Sequence, residues 1–304
     1  MKAVIDIGTN TFHLNIADVL PDGEIVFHYK TYQAVKLGEG GINKGIIALE
    51  AYKRGVDTLI KFSEIIAQYP VKQVTAIATS AVRDAINGQN FIAEVFQKTN
   101  INIQTISGDT EAELIYQGTK AALNLTNSIF LIMDIGGGSI EFILCNHSQI
   151  YWKQSFKLGA ARLMDLFMQQ NRLIFTDIKA IENYLEKNLS DLIEACKIFK
   201  PQVLVGTAGS FETYAEIISV KKEIIFNPDS EKSFEFNTQE LQQLLDFFKT
   251  STQQQRLRTP GLIAFRVDMI VVASVITSYI LQKLNINKTL LSTYALKEGA
   301  LLRL

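Results

Sequence analysis

The stretch that decides the fold is residues 6–14, Asp-Ile-Gly-Thr-Asn-Thr-Phe-His-Leu, because the chain repeats it. Residues 134–142 read Asp-Ile-Gly-Gly-Gly-Ser-Ile-Glu-Phe. In both copies an apolar run leads into Asp-Ile-Gly, small polar or glycine residues follow, and a second apolar run begins. This pattern predicts a strand, a tight glycine turn and a second strand. We infer that one fold is used twice in this chain.

Each turn has the composition of an anion-binding site. A glycine turn after a strand leaves backbone N–H groups pointing outward, and a concave set of such donors binds phosphate. A single copy is also typical of an ordinary β-turn, but two matched copies favour phosphate binding. Two such turns facing each other across a cleft would bind a phosphate chain. The predicted phosphate contacts in the turns are Gly8, Thr9, Asn10, Thr11, Gly136, Gly137, Gly138 and Ser139.

The two apolar strands that precede the turns end in Asp6 and Asp134. Mg²⁺ usually takes one or two carboxylates together with waters and substrate phosphates. The two aspartates therefore predict a site for Mg²⁺, or another divalent cation, beside the turns.

Composition sets the class of protein. The 304 residues suffice for two domains that each bury a core. Hydrophobic residues make up 47% and charged residues 20%, as in a globular protein. The formal net charge is −1, so no overall basic field attracts nucleic acid or an anionic membrane, and we expect neither as a partner. Two cysteines and three histidines are too few for a disulfide scaffold or a His-rich metal motif.

Location and assembly are predicted from hydropathy. The start of the chain carries no apolar signal region, so we expect a cytoplasmic protein. The most apolar stretch, residues 269–281, is shorter than a membrane span and predicts a buried helix. A mean hydropathy of +0.12 is compatible with a homodimer.

Hydrophobic periodicity predicts a similar order of elements in both halves. The first half has predicted strands at 2–8, 12–19, 24–35, 74–78 and 101–106, with helices at 48–68, 90–99 and 111–122. The second half has predicted strands at 128–135, 140–145, 148–156, 201–205 and 290–292, with helices at 159–170, 177–198, 211–217, 238–248, 262–283 and 295–304 and a polar excursion at 221–237. We expect one domain at 1–124, joined by the helix at 295–304, and a second at 125–294.

Other strand ends carry further polar groups. Glu111 lies in the first turn of a predicted helix, where the helix dipole favours ionisation. It either activates a water molecule as a general base or merely complements the helix end. Arg83, near Ser80, is either a bidentate phosphate ligand or a surface arginine. The Gly209-Ser210 loop either closes over a phosphate group or forms an ordinary turn.

Taken together, six segments resemble the Ppx/GppA phosphatase family, within the larger group that shares the fold of actin, hexokinase and the heat-shock chaperone ATPases. The segments are residues 6–14, 78–83, 106–112, 134–141, 158–163 and 206–210. The resemblance covers nearly the whole chain. It implies an α/β protein of two actin-like (ribonuclease H-like) domains with an interdomain active-site cleft. P-loop NTPases, dinucleotide enzymes and α/β-hydrolases are disfavoured, because their motifs are missing from the sequence.

The resemblance also implies an activity. The family hydrolyses the terminal phosphate of inorganic polyphosphate, or the 5′ γ-phosphate of guanosine pentaphosphate, with Mg²⁺. By resemblance, Glu111 is the catalytic base and Arg83 is a phosphate contact that we group with it as catalytic. Asp134 and Glu141 match acidic residues near the metal, and with Asp6 they form the predicted metal set. The turns at 8–11, 136–139 and 209–210, with Ser80, are the predicted phosphate contacts.

Two segments depart from the family pattern. Larger members carry additional C-terminal helical domains, and this chain stops where they would begin, so we expect a short form that prefers short polyphosphate or nucleotides. Residues 292–299 carry Lys297 where many relatives carry arginine. We expect that segment to contribute a helix to the first domain and assign it no role in the site.

The resulting prediction is a Mg²⁺-dependent exopolyphosphatase. Its alternatives are a guanosine pentaphosphate 5′-phosphohydrolase, a non-catalytic sensor that binds guanosine tetraphosphate, and an ATP-dependent sugar or acetate kinase built on the same fold. Phosphate release separates the hydrolases from the sensor, and phosphate transfer from ATP to a small acceptor identifies the kinase.

Overall fold

The computed structural model of the chain describes residues 1–168, 170 and 172–303. Two of the predicted helices extend beyond this range. Gln169, in the predicted helix 159–170, and Leu304, in the predicted helix 295–304, lie outside the described residues.

The first half forms a five-stranded mixed sheet in the order β3-β2-β1-β4-β5. Strands β1 to β3 are antiparallel neighbours, whereas β1 pairs in parallel with β4, and β4 with β5. The strands are β1 (Lys2–Ile7), β2 (Thr11–Val19), β3 (Ile25–Ala34), β4 (Gln73–Ala78) and β5 (Ile103–Thr105). The four helices of this half are α1 (Leu49–Ile66), α2 (Ser80–Arg83), α3 (Gly88–Thr99) and α4 (Gly108–Ala122).

The second half repeats this sheet. Its order is β8-β7-β6-β9-β11, with β10 added on the β11 edge. The strands are β6 (Phe130–Ile135), β7 (Ile140–Cys145), β8 (Ile150–Phe156), β9 (Val203–Thr207), β10 (Ser233–Phe236) and β11 (Lys288–Ser292). All residues of β6 and β7 are buried, which explains why both are apolar apart from Asp134 and Glu141. The predicted duplication and the predicted α/β class are therefore confirmed.

The helices of the second half pack mainly on one face of this sheet, and the last helix packs on the other. They are α5 (Ala160–Phe167), α6 (Phe175–Asn188), α7 (Ser190–Phe199), α8 (Ala208–Lys221), α9 (Thr238–Thr250), α10 (Gln253–Leu257), α11 (Met269–Leu284) and α12 (Leu296–Arg303). Short 3-10 turns occur at Ile42–Lys44 and Ala264–Arg266. Within the described part of the chain, no helix combines the length and apolar character needed to cross a membrane.

The structure differs from the sequence prediction in several details, and three of them have an evident structural cause. The predicted helix 177–198 is two helices, α6 and α7, because the fully buried Leu189 adopts a non-helical conformation between them. The predicted polar excursion 221–237 contains β10, whose four residues are too few for a clear local pattern and which pairs with β11. The predicted helix 262–283 starts later, at Met269, after the 3-10 turn at Ala264–Arg266.

Helices α4 and α12 cross between the two sheets. Their apolar side chains join residues of both sheets in a central core: Val4, Ala17, Ile77, Ala112, Ile115, Phe130, Ile132, Ile143, Val203, Val205, Leu296, Ala300 and Leu301. The two helices touch through glycines. A Cβ added to Gly118 would lie 2.0 Å from the Ala295 carbonyl oxygen, and one on Gly299 would lie 1.9 Å from the Leu114 carbonyl oxygen. The helix after the second sheet is thus packed tightly onto the first half, while the exact domain boundaries stay a prediction.

We expect Gly299→Ala to lower the free energy of unfolding by about 2 kcal/mol, because the added methyl group would force the α4 and α12 backbones apart. The cost of separating the two backbones exceeds the gain in helix stability of about 1 kcal/mol that alanine has over glycine. Chemical denaturation of the two proteins measures the difference. A more stable variant would show that the helices separate without cost.

Candidate active site

The two glycine turns have the same local geometry. A Cβ added to Gly8 would lie 2.7 Å from the carbonyl oxygen of Thr11, and one on Gly136 would lie 3.0 Å from that of Ser139. Each turn therefore folds back onto the residue three positions later, where a side chain would collide with the backbone. The repeat seen in the sequence is also a repeat in three dimensions.

The turns meet where the two halves of the molecule adjoin. A Cβ added to Gly137 would lie 3.0 Å from Cβ of Thr9, and one on Gly138 would lie 2.5 Å from Oγ of Ser80 and 2.7 Å from Oγ1 of Thr9. Glycine is required here by the close approach of the other half. Predicted phosphate contacts that are far apart in sequence therefore form one surface.

Most of the predicted site residues line a single cavity of about 170 Å³. Those on its wall are Asp6, Gly8, Thr9, Asn10, Thr11, Glu111, Asp134, Gly136, Gly137, Gly138, Ser139, Glu141, Gly209 and Ser210. The other two predicted residues stand next to the wall. Ser80 contacts the turn at Gly138, and Arg83 contacts Glu111.

Glu111 is held by Arg83 at the start of α4. Its side chain is buried, and the residue is 7% exposed. Arg83 Nη1 donates a hydrogen bond to Glu111 Oε2 at 3.1 Å and another to the Ile106 carbonyl at 3.0 Å. Burial and the nearby charge of Glu141 raise the pKa of Glu111 well above its ordinary value, while Arg83 acts in the opposite direction. The pair therefore keeps a strongly basic carboxylate in a fixed orientation.

A second buried carboxylate, Glu141, lies close to Glu111. A Cβ added to Gly108 would lie 2.3 Å from Cβ of Ser155, so the first turn of α4 packs directly on β8. Ser155 Oγ donates a hydrogen bond to Glu141 Oε1 at 2.6 Å. Burial, together with the charge of Asp134, raises the pKa of Glu141 to about 7. The contact at Gly108 thus brings the two glutamates of different halves together.

The aspartates near the ends of β1 and β6 also line the wall, where Asp134 is buried and Asp6 is partly exposed. Burial raises the pKa of Asp6 to about 7, with the charge of Asp134 adding to the effect and Lys297 opposing it. Burial raises the pKa of Asp134 to about 6. Several carboxylates in one low-dielectric cavity repel one another, so a bound cation would stabilise their ionised forms.

The carboxylates that line the cavity could provide some, but not all, of the ligands of a magnesium ion. Across residues 1–168, 170 and 172–303 there is no group of three or more His, Cys, Asp or Glu side chains arranged to hold a metal. The predicted set of Asp6, Asp134 and Glu141 is therefore not a preformed three-carboxylate site. Asp6 and Asp134 fit the other mode that Mg²⁺ uses, in which one or two carboxylates act together with waters and substrate phosphates.

The expectation that residues 292–299 have no place in the site is wrong, because Lys297 lines the cavity. Burial lowers its pKa, but the surrounding carboxylates of Glu298, Glu212, Asp6 and Asp134 outweigh burial, so that its pKa is raised. Lys297 is therefore a firmly charged cation. The sequence analysis noted Lys297 only as a departure from the expected family pattern.

The sequence analysis also missed Arg266, which lies on the cavity wall. Its Nη1 donates to the Gly209 carbonyl and to Thr213 Oγ1, both at 2.7 Å, and its Nη2 pairs with Glu212 Oε2 at 3.1 Å. The neighbouring Phe265 lines the cavity too. No local pattern marked either residue, since the contact to Gly209 spans 57 residues of sequence.

His13 also lines the cavity. Burial lowers its pKa well below the ordinary value, and the charges of Lys297 and Arg266 lower it further. It is therefore a neutral imidazole next to two cations.

The raised pKa of Asp6 gives a test of these electrostatics. The pKa of Asp6 is about 7 in the folded protein and 3.8 in an ordinary environment. The folded state therefore binds the proton more tightly, so Asp6 costs no stability below about pH 4 and an increasing amount as the pH rises toward 7. We expect Asp6→Asn to have the same Tm as the wild type at pH 4 and a higher Tm at pH 8, measured calorimetrically with chelator present. An equal difference at both pH values would contradict the charge explanation.

Comparisons with known proteins agree with this architecture. A family model described as the Ppx/GppA phosphatase family matches residues 18–304. The crystal structure of an exopolyphosphatase from Cytophaga hutchinsonii superposes with a TM-score of 0.95 and 39% sequence identity, covering 98% of this chain and 96% of that one. Exopolyphosphatase 1 of Mycobacterium leprae is 25% identical over 301 residues, 99% of this chain and 88% of the relative.

One relative is much longer. The bifunctional 3-dehydroquinate synthase/phosphatase of Fusobacterium nucleatum is 34% identical over 293 residues, which are 92% of this chain. The chain spans 43% of the length of that protein.

Proposed function

Because the chain belongs to the Ppx/GppA phosphatase family, a family of phosphate-releasing hydrolases, we propose that it is an exopolyphosphatase, which releases the terminal phosphate of inorganic polyphosphate. The observation that carries the proposal is the meeting of two glycine turns in one cavity beside the buried Glu111. Opposed sets of N–H donors suit a substrate with adjacent phosphate groups. The similarity to the exopolyphosphatases of Cytophaga hutchinsonii and Mycobacterium leprae supports this substrate class.

In the proposed reaction, the terminal phosphate lies between the turns at 8–11 and 136–139. Their N–H groups offset the charge on its oxygens, which is the main source of catalysis in phosphoryl transfer. Glu111 orients a water molecule and accepts its proton while the water oxygen bonds to phosphorus. The bond from phosphorus to the bridging oxygen breaks, and the shortened chain leaves with the electron pair on that oxygen.

The surroundings of Glu111 fit the proposed role. A general base works best when its pKa is close to the working pH, and burial raises the pKa of Glu111 toward that range. Arg83 opposes this rise in the pKa of Glu111, because its charge favours the ionised form of the carboxylate. Asp6 and Asp134 are the residues that we propose hold Mg²⁺, which when bound would neutralise charge on the phosphates.

One observation favours guanosine pentaphosphate as a second candidate substrate. Phe265 on the cavity wall lies next to the half-exposed Tyr32, with ring centroids 5.5 Å apart. Exposed aromatic rings stack on nucleobases, and each stacked base contributes about 1–3 kcal/mol. A nucleotide whose phosphates enter the cavity would have a place for its base at this edge.

The deciding experiment is phosphate release from short polyphosphate, long polyphosphate and guanosine pentaphosphate, each with Mg²⁺ and with chelator. Metal-dependent release is expected, and the ratio of kcat/KM values identifies the substrate. Tight binding of guanosine tetraphosphate without any release would instead indicate a sensor. Phosphate transfer from ATP to a sugar or acetate would indicate a kinase.

A further inference from the structure

A cluster of hydrogen bonds joins the two halves of the molecule outside the cavity, with Arg162 at its centre. Arg162 lies in the first turn of α5, and its side chain is only 12% exposed. Its Nε donates to the Gly138 carbonyl at 3.2 Å, within the second glycine turn. Its Nη1 donates across to the first half, to the Ile42 carbonyl at 3.0 Å and to Asn43 Oδ1 at 3.1 Å.

Asn43 returns the contact. Its Nδ2 donates to the Arg162 carbonyl at 3.1 Å and to Asp165 Oδ2 at 2.8 Å. The side-chain amide thus uses both its oxygen and its nitrogen on the same helix of the other half. We call these hydrogen bonds among Ile42, Asn43, Gly138, Arg162 and Asp165 the Asn43–Arg162 clasp.

The backbone connects the clasp to the first glycine turn as well. The Ile42 N–H donates to the Gly38 carbonyl at 2.9 Å, and the Gly38 N–H donates to the Thr9 carbonyl at 2.9 Å. The Lys36 N–H donates to the Asn10 carbonyl at 2.8 Å. A short path of hydrogen bonds therefore runs from the first turn through residues 36–42 to Arg162 and on to the second turn.

A weaker branch leads toward the proposed base. Asp84 Oδ2 lies 3.8 Å from Arg162 Nη2, and Asp84 Oδ1 lies 3.7 Å from Arg83 Nε. Arg83 in turn binds Glu111. Asp84 therefore lies between Arg162 and Arg83, the arginine that orients the base. Arg162 itself does not line the cavity.

We propose that the Asn43–Arg162 clasp sets the spacing of the two glycine turns, so that both bind one substrate phosphate at the same time. Arg162 and Asn43 are positioning residues in this scheme, and it rests on the proposed phosphohydrolase function. The central core between the sheets is apolar and its contacts have no direction. Hydrogen bonds to a guanidinium group are directional, so the clasp can define the distance between the turns where the core alone does not.

The first test is the kinetics of Asn43→Ala on polyphosphate. The clasp is proposed to shift an equilibrium between correctly and incorrectly spaced turns. Loss of hydrogen bonds to a charged group changes such an equilibrium constant about tenfold. We expect KM to rise about tenfold and kcat to change less than threefold, because Asn43 touches neither substrate nor the reacting atoms. Lys44→Ala changes the exposed neighbouring residue and serves as the matched control, with wild-type KM expected.

The pairing with Asp165 allows a rescue. The substitution N43D places two carboxylates 2.8 Å apart and should raise KM, whereas the double substitution N43D/D165N restores a hydrogen bond in the opposite direction. We expect the KM of the double variant to fall back toward the wild-type value. A double variant no better than N43D alone would overturn the clasp.

Hydrogen exchange of the substrate-free protein separates this inference from the proposed function. In Asn43→Ala we expect faster amide exchange at residues 36–42 and 136–138 than in the wild type. A wild type that hydrolyses polyphosphate, beside an Asn43→Ala variant with unchanged KM and exchange, would overturn the clasp and leave the function standing. A wild type without hydrolysis, beside a variant with faster exchange at residues 36–42 and 136–138, would overturn the function and support the clasp.

Discussion

Replacing Glu111 with glutamine is expected to lower kcat on polyphosphate by about 10²–10⁴-fold, the usual contribution of a general base, while the affinity for substrate stays close to that of the wild type. Glutamine keeps the size of the side chain and an oxygen for Arg83, but it cannot accept the proton of the attacking water. Single-turnover kinetics measure the loss, and calorimetric titration of polyphosphate onto the variant measures the retained binding.

Glu113 provides the matched control for this experiment. It lies on the same helix, on the exposed side, where its Oε1 pairs with Lys153 Nζ at 2.6 Å. Glu113→Gln is expected to keep the wild-type kcat, because exposed ion pairs contribute little. A Glu111→Gln variant with the wild-type kcat would remove Glu111 from the mechanism and leave the binding site without an assigned base.

Lys297→Met is expected to reduce kcat/KM by about 100-fold. Lys297 faces four carboxylates, those of Asp6, Asp134, Glu212 and Glu298, so its removal leaves the cavity with an excess of negative charge that repels a polyphosphate. It also removes a donor for a charge-assisted hydrogen bond to phosphate, which is worth about 1.5–3 kcal/mol. Steady-state kinetics measure the loss.

The control for Lys297 is Lys283→Met. Lys283 is a partly exposed lysine on α11 that pairs with Glu186 at 2.7 Å, away from the cavity. The substitution Lys283→Met is expected to leave kcat/KM unchanged within a factor of two, because surface ion pairs contribute little. Unchanged kinetics in both variants would show that Lys297 neither contacts the substrate nor contributes to its attraction into the cavity.

The parts of the site that could be predicted from the sequence are those built by neighbouring residues. Each glycine turn, with Asp6 or Asp134 before it, is a contiguous segment. Its conformation can therefore be predicted from its own residues. The pairing of Glu111 with Arg83 bridges 28 residues, and the residues alone left their roles open. Only the resemblance to a family favoured a functional role for both.

Lys297 and Arg266 could not be found in this way, because the packing of distant elements brings them to the cavity. Lys297 lies on α12, which packs against α4 at two glycines. Arg266 lies on a 3-10 turn that is hydrogen-bonded to the start of α8. The predicted metal set stays a prediction. The pattern identified carboxylates at strand ends, but the hydrogen bond from Ser155 to Glu141 depends on the pairing of β7 with β8, which no local pattern shows.

The position of α12 has a consequence for how the protein is made. A ribosome synthesises the first sheet early, but the helix that covers α4 and carries Lys297 follows the whole second sheet in the chain. Until then, apolar side chains such as Ala112 and Ile115, which join the central core, lack their partners in a nascent chain. Partly made copies should therefore depend on chaperones during translation, and the complete set of cavity residues should assemble only after residue 297 has left the exit tunnel.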